Sequence, residues 1–144
     1  MARYGFGAVG SVTTSGAAQW EIRAGSTIRL KVYEIGFFLT AATATTFGLG
    51  RPAAIGVGTG GVAPLPYDAG DAAASSLVAV SWGTTAPTAP ANYFRRASLP
   101  ATVGNGLIWR WSENAPLIVP ASGSIVLWNL ATNAACNVYV EYDE

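Results

Sequence analysis

Residues 106–130, GLIWRWSENAPLIVPASGSIVLWNL, decide the fold. The stretch holds three of the chain's five tryptophans and no helical spacing of apolar residues. Leu107, Trp109 and Trp111 fall on one parity, Ile108 and Arg110 on the other, which is the two-residue alternation of a strand with one buried face. Pro116 and Pro120 bracket the apolar run Leu117-Ile118-Val119, and Ala121-Ser122-Gly123 reads as a turn. Residues 124–130 alternate again, but with both parities apolar: Ile125 and Leu127 on one, Val126, Trp128 and Leu130 on the other. A strand of that kind is covered on both faces, by two layers or by one layer and a partner.

The same period recurs on either side. Residues 19–23 set Trp20 and Ile22 against Glu21 and Arg23. Residues 27–40 form the longest candidate strand, in which Ile28, Leu30 and Val32 share one parity and Ile35, Phe37 and Leu39 the other. A β-bulge near Gly36 would absorb that slip and keep the apolar face inward. Residues 45–51 alternate Phe47 and Leu49 with glycines, which predicts close approach by another element. Strands are also predicted over 77–82, 92–99 and 137–142. Residues 52–70, PAAIGVGTGGVAPLPYDAG, read as a long Gly/Pro loop and 83–90 as a second loop. The alanine-rich stretch 68–76, with Asp68 and Asp71 near its start, predicts one or two helical turns. Residues 1–16 read as a short strand or as an arm laid on a neighbouring copy. Asp143 and Glu144 read as a solvated tail. About eight closely spaced strands with turn signals between them predict an all-β chain, a single-domain antiparallel β-sandwich with long Gly/Pro loops. A jelly roll fits that mixture best.

Composition narrows the function. The 144 residues are 51% hydrophobic and only 11% charged, against about 25% charged in an average soluble domain. Such a surface predicts coverage by copies of the chain or by another protein, unless small neutral residues clothe it. Eight basic and eight acidic residues cancel, so nothing steers the chain to nucleic acid or to an anionic membrane. No apolar run reaches the ~18 residues of a membrane helix, and the first residues show no apolar leader. The single cysteine, Cys136, suits a reducing cytoplasm and reads as a small buried hydrophobe.

Histidine is absent, which removes histidine-based triads and the commonest metal ligand. Glu34 reads as a solvated or paired edge residue, with no partner carboxylate in register. Asp68 and Asp71 alone are a weak calcium signal. The GVGTGG piece lacks the ending of a phosphate-binding loop, and no helix pattern follows it directly. No cofactor, metal or catalytic residue is expected, and the chain is not expected to be an enzyme. Arg95 and Arg96 point to opposite faces of a strand and suit a salt bridge or an interface contact. Trp109 and Trp111 share a face. They fill the core or an intersubunit contact, or else present a platform to sugar rings.

The opening ARYGFGAVG, the block LKVYEIGFFLTAATATTFGLGRPAA, the strand FRRASLP and the closing GLIWRWSENAPLIVPASGSIVLWNLATNAACNVYVEYDE together cover most of the chain. In these features it resembles small virion proteins of tailed bacteriophages. The resemblance implies a β-sandwich that folds in the host cytoplasm and assembles on the virion as a capsid decoration (cement) protein. The implied partners are the chain itself, as a homo-oligomer and most often a trimer, and the major capsid protein. Tyr4, Phe6, Arg95, Arg96, Trp109 and Trp111 are the candidate interface residues. A glycan-binding head of a fibre or spike, using Trp109 and Trp111, is the alternative.

Overall fold

Alternating apolar residues build two antiparallel sheets of six strands each, and the computed structural model describes residues 1–10 and 17–144. The strands are β1 (Arg3–Val9), β2 (Ala18–Arg23), β3 (Leu30–Leu39), β4 (Thr45–Gly50), β5 (Gly58–Val62), β6 (Leu65–Pro66), β7 (Leu77–Trp82), β8 (Arg95–Leu99), β9 (Gly106–Arg110), β10 (Leu117–Val119), β11 (Ser124–Asn129) and β12 (Cys136–Asp143). The first sheet runs β10-β3-β12-β1-β6, with β9 also on the outer edge of β3. The second runs β5-β7-β2-β11-β4-β8. The described residues contain no helix.

The two sheets face each other across one core. Tyr4, Phe6, Val32, Ile35, Phe37, Val138 and Val140 come from the first sheet, and Trp20, Ile22, Phe47, Leu49, Ile125 and Leu127 from the second. Rings lock the layers together: Phe6 meets Trp20 edge-on at 5.8 Å between centroids, and Phe37 meets Phe47 at 5.1 Å. Such pairs add to the ~1.5–3 kcal/mol gained by burying each large apolar side chain. Cys136 lies in this core, and burial pushes its thiol up to about 12. That makes it an inert packing residue rather than a nucleophile.

The parity slip in β3 is real, but its bulge sits earlier than Gly36. Glu141 pairs with Glu34 and Tyr142 with Val32, so Tyr33 is the extra residue. Gly36 serves another purpose, because the ring of Tyr139 occupies the place of its side chain. The turn after Pro120 forms as expected, with Gly123 N–H donating to the Pro120 carbonyl at 2.8 Å and Ser122 at a φ of 58°.

Four expectations need correction. Residues 52–70 are not structureless, since β5 and β6 lie within them. The stretch 68–76 does not turn helical. Tyr4 donates its hydroxyl to the Ala72 carbonyl at 2.9 Å, and the Glu144 carboxylate accepts the Ser75 and Ser76 N–H groups. These partners from outside the segment engage its backbone beyond a single turn, in which the Asp71 N–H donates to the Asp68 carbonyl at 3.0 Å, and override alanine's helix preference. Asp143 and Glu144 are therefore anchored, not a free tail; Asp143 also accepts from Arg3 at 2.8 Å and from Tyr33 at 3.0 Å. Finally, of the two readings of the N-terminus, the short strand holds for residues 3–9 and the arm does not. These residues form a strand inside the first sheet, paired to β12 on one side and β6 on the other. Residues 11–16 of that expected arm lie outside the described residues.

Candidate functional site

The candidate interface residues do not gather at one place. Tyr4 and Phe6 are 4% and 5% exposed and pack inside the chain's own core, so they are not available to a neighbour. Trp109, 6% exposed, packs against Phe37 with ring centroids 4.8 Å apart. Trp111 is half-buried, and the Arg95 guanidinium lies 4.4 Å over its ring. No solvent-facing tryptophan pair results, and a sugar platform at Trp109 and Trp111 is set aside. Arg96 turns to the other face of its strand, 5.8 Å from the Tyr93 ring.

What the structure does bring together is one margin of the sandwich. Arg95 of β8 reaches across to donate to the Arg110 carbonyl at 3.3 Å, joining the ends of β8 and β9. Among the described residues β9 pairs with β3 alone, which leaves its other edge open. Asn105 accepts from Leu39, and Trp111 donates to Tyr33. By alternation, Ile108 turns its backbone N–H and C=O away from β3. Leu107 and Ile108 are 37% and 41% exposed there, with Val103 exposed just before them. An open strand edge with large apolar side chains is a template for another chain.

The outer face of the first sheet carries the chain's polar chemistry. Its rows run across the strands: Gly5 beside Glu141 beside Glu34 beside Arg110, and Gly7 beside Tyr139 beside Gly36 beside Ile108. Glu34 thus has a carboxylate directly opposite it in the ladder, contrary to the sequence expectation. Each acid is held by its own donors. Tyr139 donates to one Glu34 oxygen, Arg110 donates to the other at 2.5 Å, and Tyr67 donates to Glu141 at 2.6 Å. The Tyr139 hydroxyl, helped by Arg110 and opposed by burial, holds the Glu34 carboxyl below its usual range. Burial first, then the bond to its carboxylate, pushes Tyr67 and Tyr139 each up to about 12. A glycosidase acid needs the opposite shift, a carboxyl kept protonated near neutrality. Glu34 is built to stay an anion and to hold Tyr139 in place.

Beside this network lies a groove of about 640 Å³. Gly5, Gly7, Leu65, Tyr67, Tyr139 and Glu141 line it. Sequence reading missed this set. Its signal was present in the outward parity of residues 139, 141 and 143 and in the two glycines spaced by one. A second hollow, of about 210 Å³, lies over β7 and is lined by Glu21, Arg23 and the glycines of β5. Glu21 is buried there, accepting from the Trp82 indole N–H at 3.2 Å. The GVGTGG piece enters as a bulged edge strand against β7, not as a loop opening a helix, so it has no helix N-terminus to cradle a phosphate.

No protein-family model matches this chain, and no curated protein matches it significantly.

Proposed function

We propose that this chain is a non-enzymatic structural protein of a bacteriophage particle, self-associating and binding the capsid as a decoration protein. The observation that carries the reading is the open edge of β9. Exposed Leu107 and Ile108 beside unpaired backbone suit a neighbour of the same kind. The strand partners support a jelly-roll winding: β1 with β12, β12 with β3, and β3 with β9 and β10 in one sheet; β2 with β11, β11 with β4, and β4 with β8 in the other. In that reading β5, β6 and β7 are an added excursion that widens both sheets. Jelly rolls recur in viral shells and in lectins, so the fold supports the class and not the particular role.

The assembled form is a homo-oligomer, with a trimer as the working number, and its partner is the major capsid protein. Light scattering on the purified chain tests self-association. The expected mass exceeds one chain, and Ile108→Lys, which puts a charge on the open edge, lowers it toward one chain while the fold holds. A wild-type monomer whose mass Ile108→Lys does not alter would remove the support for the proposal. Imaging of intact particles with the labelled chain then tests its place on the capsid.

A further inference from the structure

The outer face of the first sheet has four glycines pointing outward, and three of them are roofed. Tyr67 lies over Gly5, Tyr139 over Gly36 and Phe38 over Gly106. An aromatic ring laid across a strand glycine restores packing where a side chain is missing. The fourth is Gly7, in the middle of β1, where among the described residues a Cβ would meet only the Val138 carbonyl oxygen, at 3.8 Å. Glycine in a strand interior costs roughly 0.5–1 kcal/mol relative to alanine. At Gly7 no side chain of the described residues gives a reason for that cost. A strand glycine of this kind marks close approach by something else.

We propose that the groove over Gly7 binds a neutral pyranose sugar, whose ring takes the place that Tyr67, Tyr139 and Phe38 take at the other three glycines. The lining fits that ligand. The axial C–H groups of a pyranose form an apolar face that stacks on the negative face of an aromatic ring, and Tyr67 is 59% exposed beside the bare position. The hydroxyl rim of a sugar supplies donors. Glu141 offers an acceptor, since among the described residues only its Oε1 is engaged, by Tyr67. The residues lining the groove include this carboxylate and no cation, which favours neutral sugars over uronic or sialic acids. At about 640 Å³ the groove falls in the usual range of small-ligand sites. The site lies on the broad outer face and not on the β9 edge, so it is a function additional to assembly.

Isothermal titration of the full chain with maltohexaose, cellohexaose and chitohexaose, with an oligogalacturonate for comparison, tests the assignment. At least one neutral probe should bind, and the acidic one more weakly. Gly7→Val should weaken binding by about tenfold or more, equivalent to roughly 1.4 kcal/mol, while the melting temperature holds or rises. Glu141→Gln should weaken it less, and Trp111→Ala should leave it unchanged. The proposal is overturned by no binding of any neutral probe at millimolar concentration, by binding indifferent to Gly7→Val, or by equal binding of the acidic probe. It is equally overturned if Gly7→Val turns an oligomer into a monomer, because a second copy would then be the occupant.

Discussion

The two outer faces of the sandwich are finished in opposite ways. On the second sheet Ala18, Val126 and Trp128 point outward and are nonetheless buried, with Trp82, Tyr93 and Leu130 packed on them. The lid is the chain itself. Residues 83–94 fold back across this face, fixed to residues 53–57 by hydrogen bonds such as Ala53 N–H to the Thr88 carbonyl at 2.9 Å. Glycines let it come close: Gly48 touches Leu130 and Tyr93, Gly50 touches Pro90, and Gly56 touches Pro87. On the first sheet no such lid exists among the described residues, and tyrosines, carboxylates and arginines face outward. An apolar outward row forces the chain to build its own cover, whereas a polar row leaves the face free for something else. The small neutral loops that made the sequence look short of charge are largely this cover and its surroundings.

The sharpest way to break the comparison is to remove a ring from each face. Trp128→Ala should cost about 3–5 kcal/mol by opening a cavity beneath the lid. Tyr67→Ala should cost under about 1 kcal/mol, as expected of an exposed side chain with one hydrogen bond. Urea denaturation measures both, and equal losses would mean that the second sheet is not closed. Next in size is a matched pair of glycine changes. At Gly48 a Cβ would come within 2.7 Å of Leu130 and 2.8 Å of Tyr93, so Gly48→Val should cost about 1–3 kcal/mol through overpacking. Gly7→Val, into open space on a strand, should stabilise by up to about 1 kcal/mol. The same sign at both positions would contradict the assignment of a covered Gly48 and an uncovered Gly7.

The smallest effect is electrostatic. Glu34 has its folded value lowered from 4.5, chiefly by Tyr139. Its contribution to stability is therefore complete above the unfolded value and is lost as pH falls through the lower folded value. The gap in melting temperature between wild type and Glu34→Gln should be constant above about pH 5 and shrink below it. A gap that widens on acidification would reverse the sign and remove Glu34 as the anchor of Tyr139.

Much of this was legible from periodicity. Strand positions followed two-residue alternation, and the doubly apolar row at 125–130 announced a covered outer face. What covered it was not legible, because a lid made of Gly, Thr, Ala and Pro carries no apolar pattern. β5 was hidden for a similar reason: GTGGV pairs through its backbone to β7 and shows no alternation of its own. The alanine run at 68–76 pointed to helix, and only the distant partners Tyr4 and Glu144 decide otherwise. The groove over Gly7 needs the register of β1, β12 and β6 together, and no single segment contains it. The tryptophans drew attention to β9, yet the exposed aromatic beside a bare glycine is Tyr67, in a segment read as loop.

Hydroxyl-radical footprinting with a mass-spectrometric readout tests the contrast between the faces most directly. Trp128, 2% exposed, should stay unlabelled while Tyr67, 59% exposed, is oxidised readily, even though indole is the more reactive ring. Labelling of Trp128 as fast as Tyr67 in the folded chain would contradict a sandwich closed by its own loop on one side and open on the other.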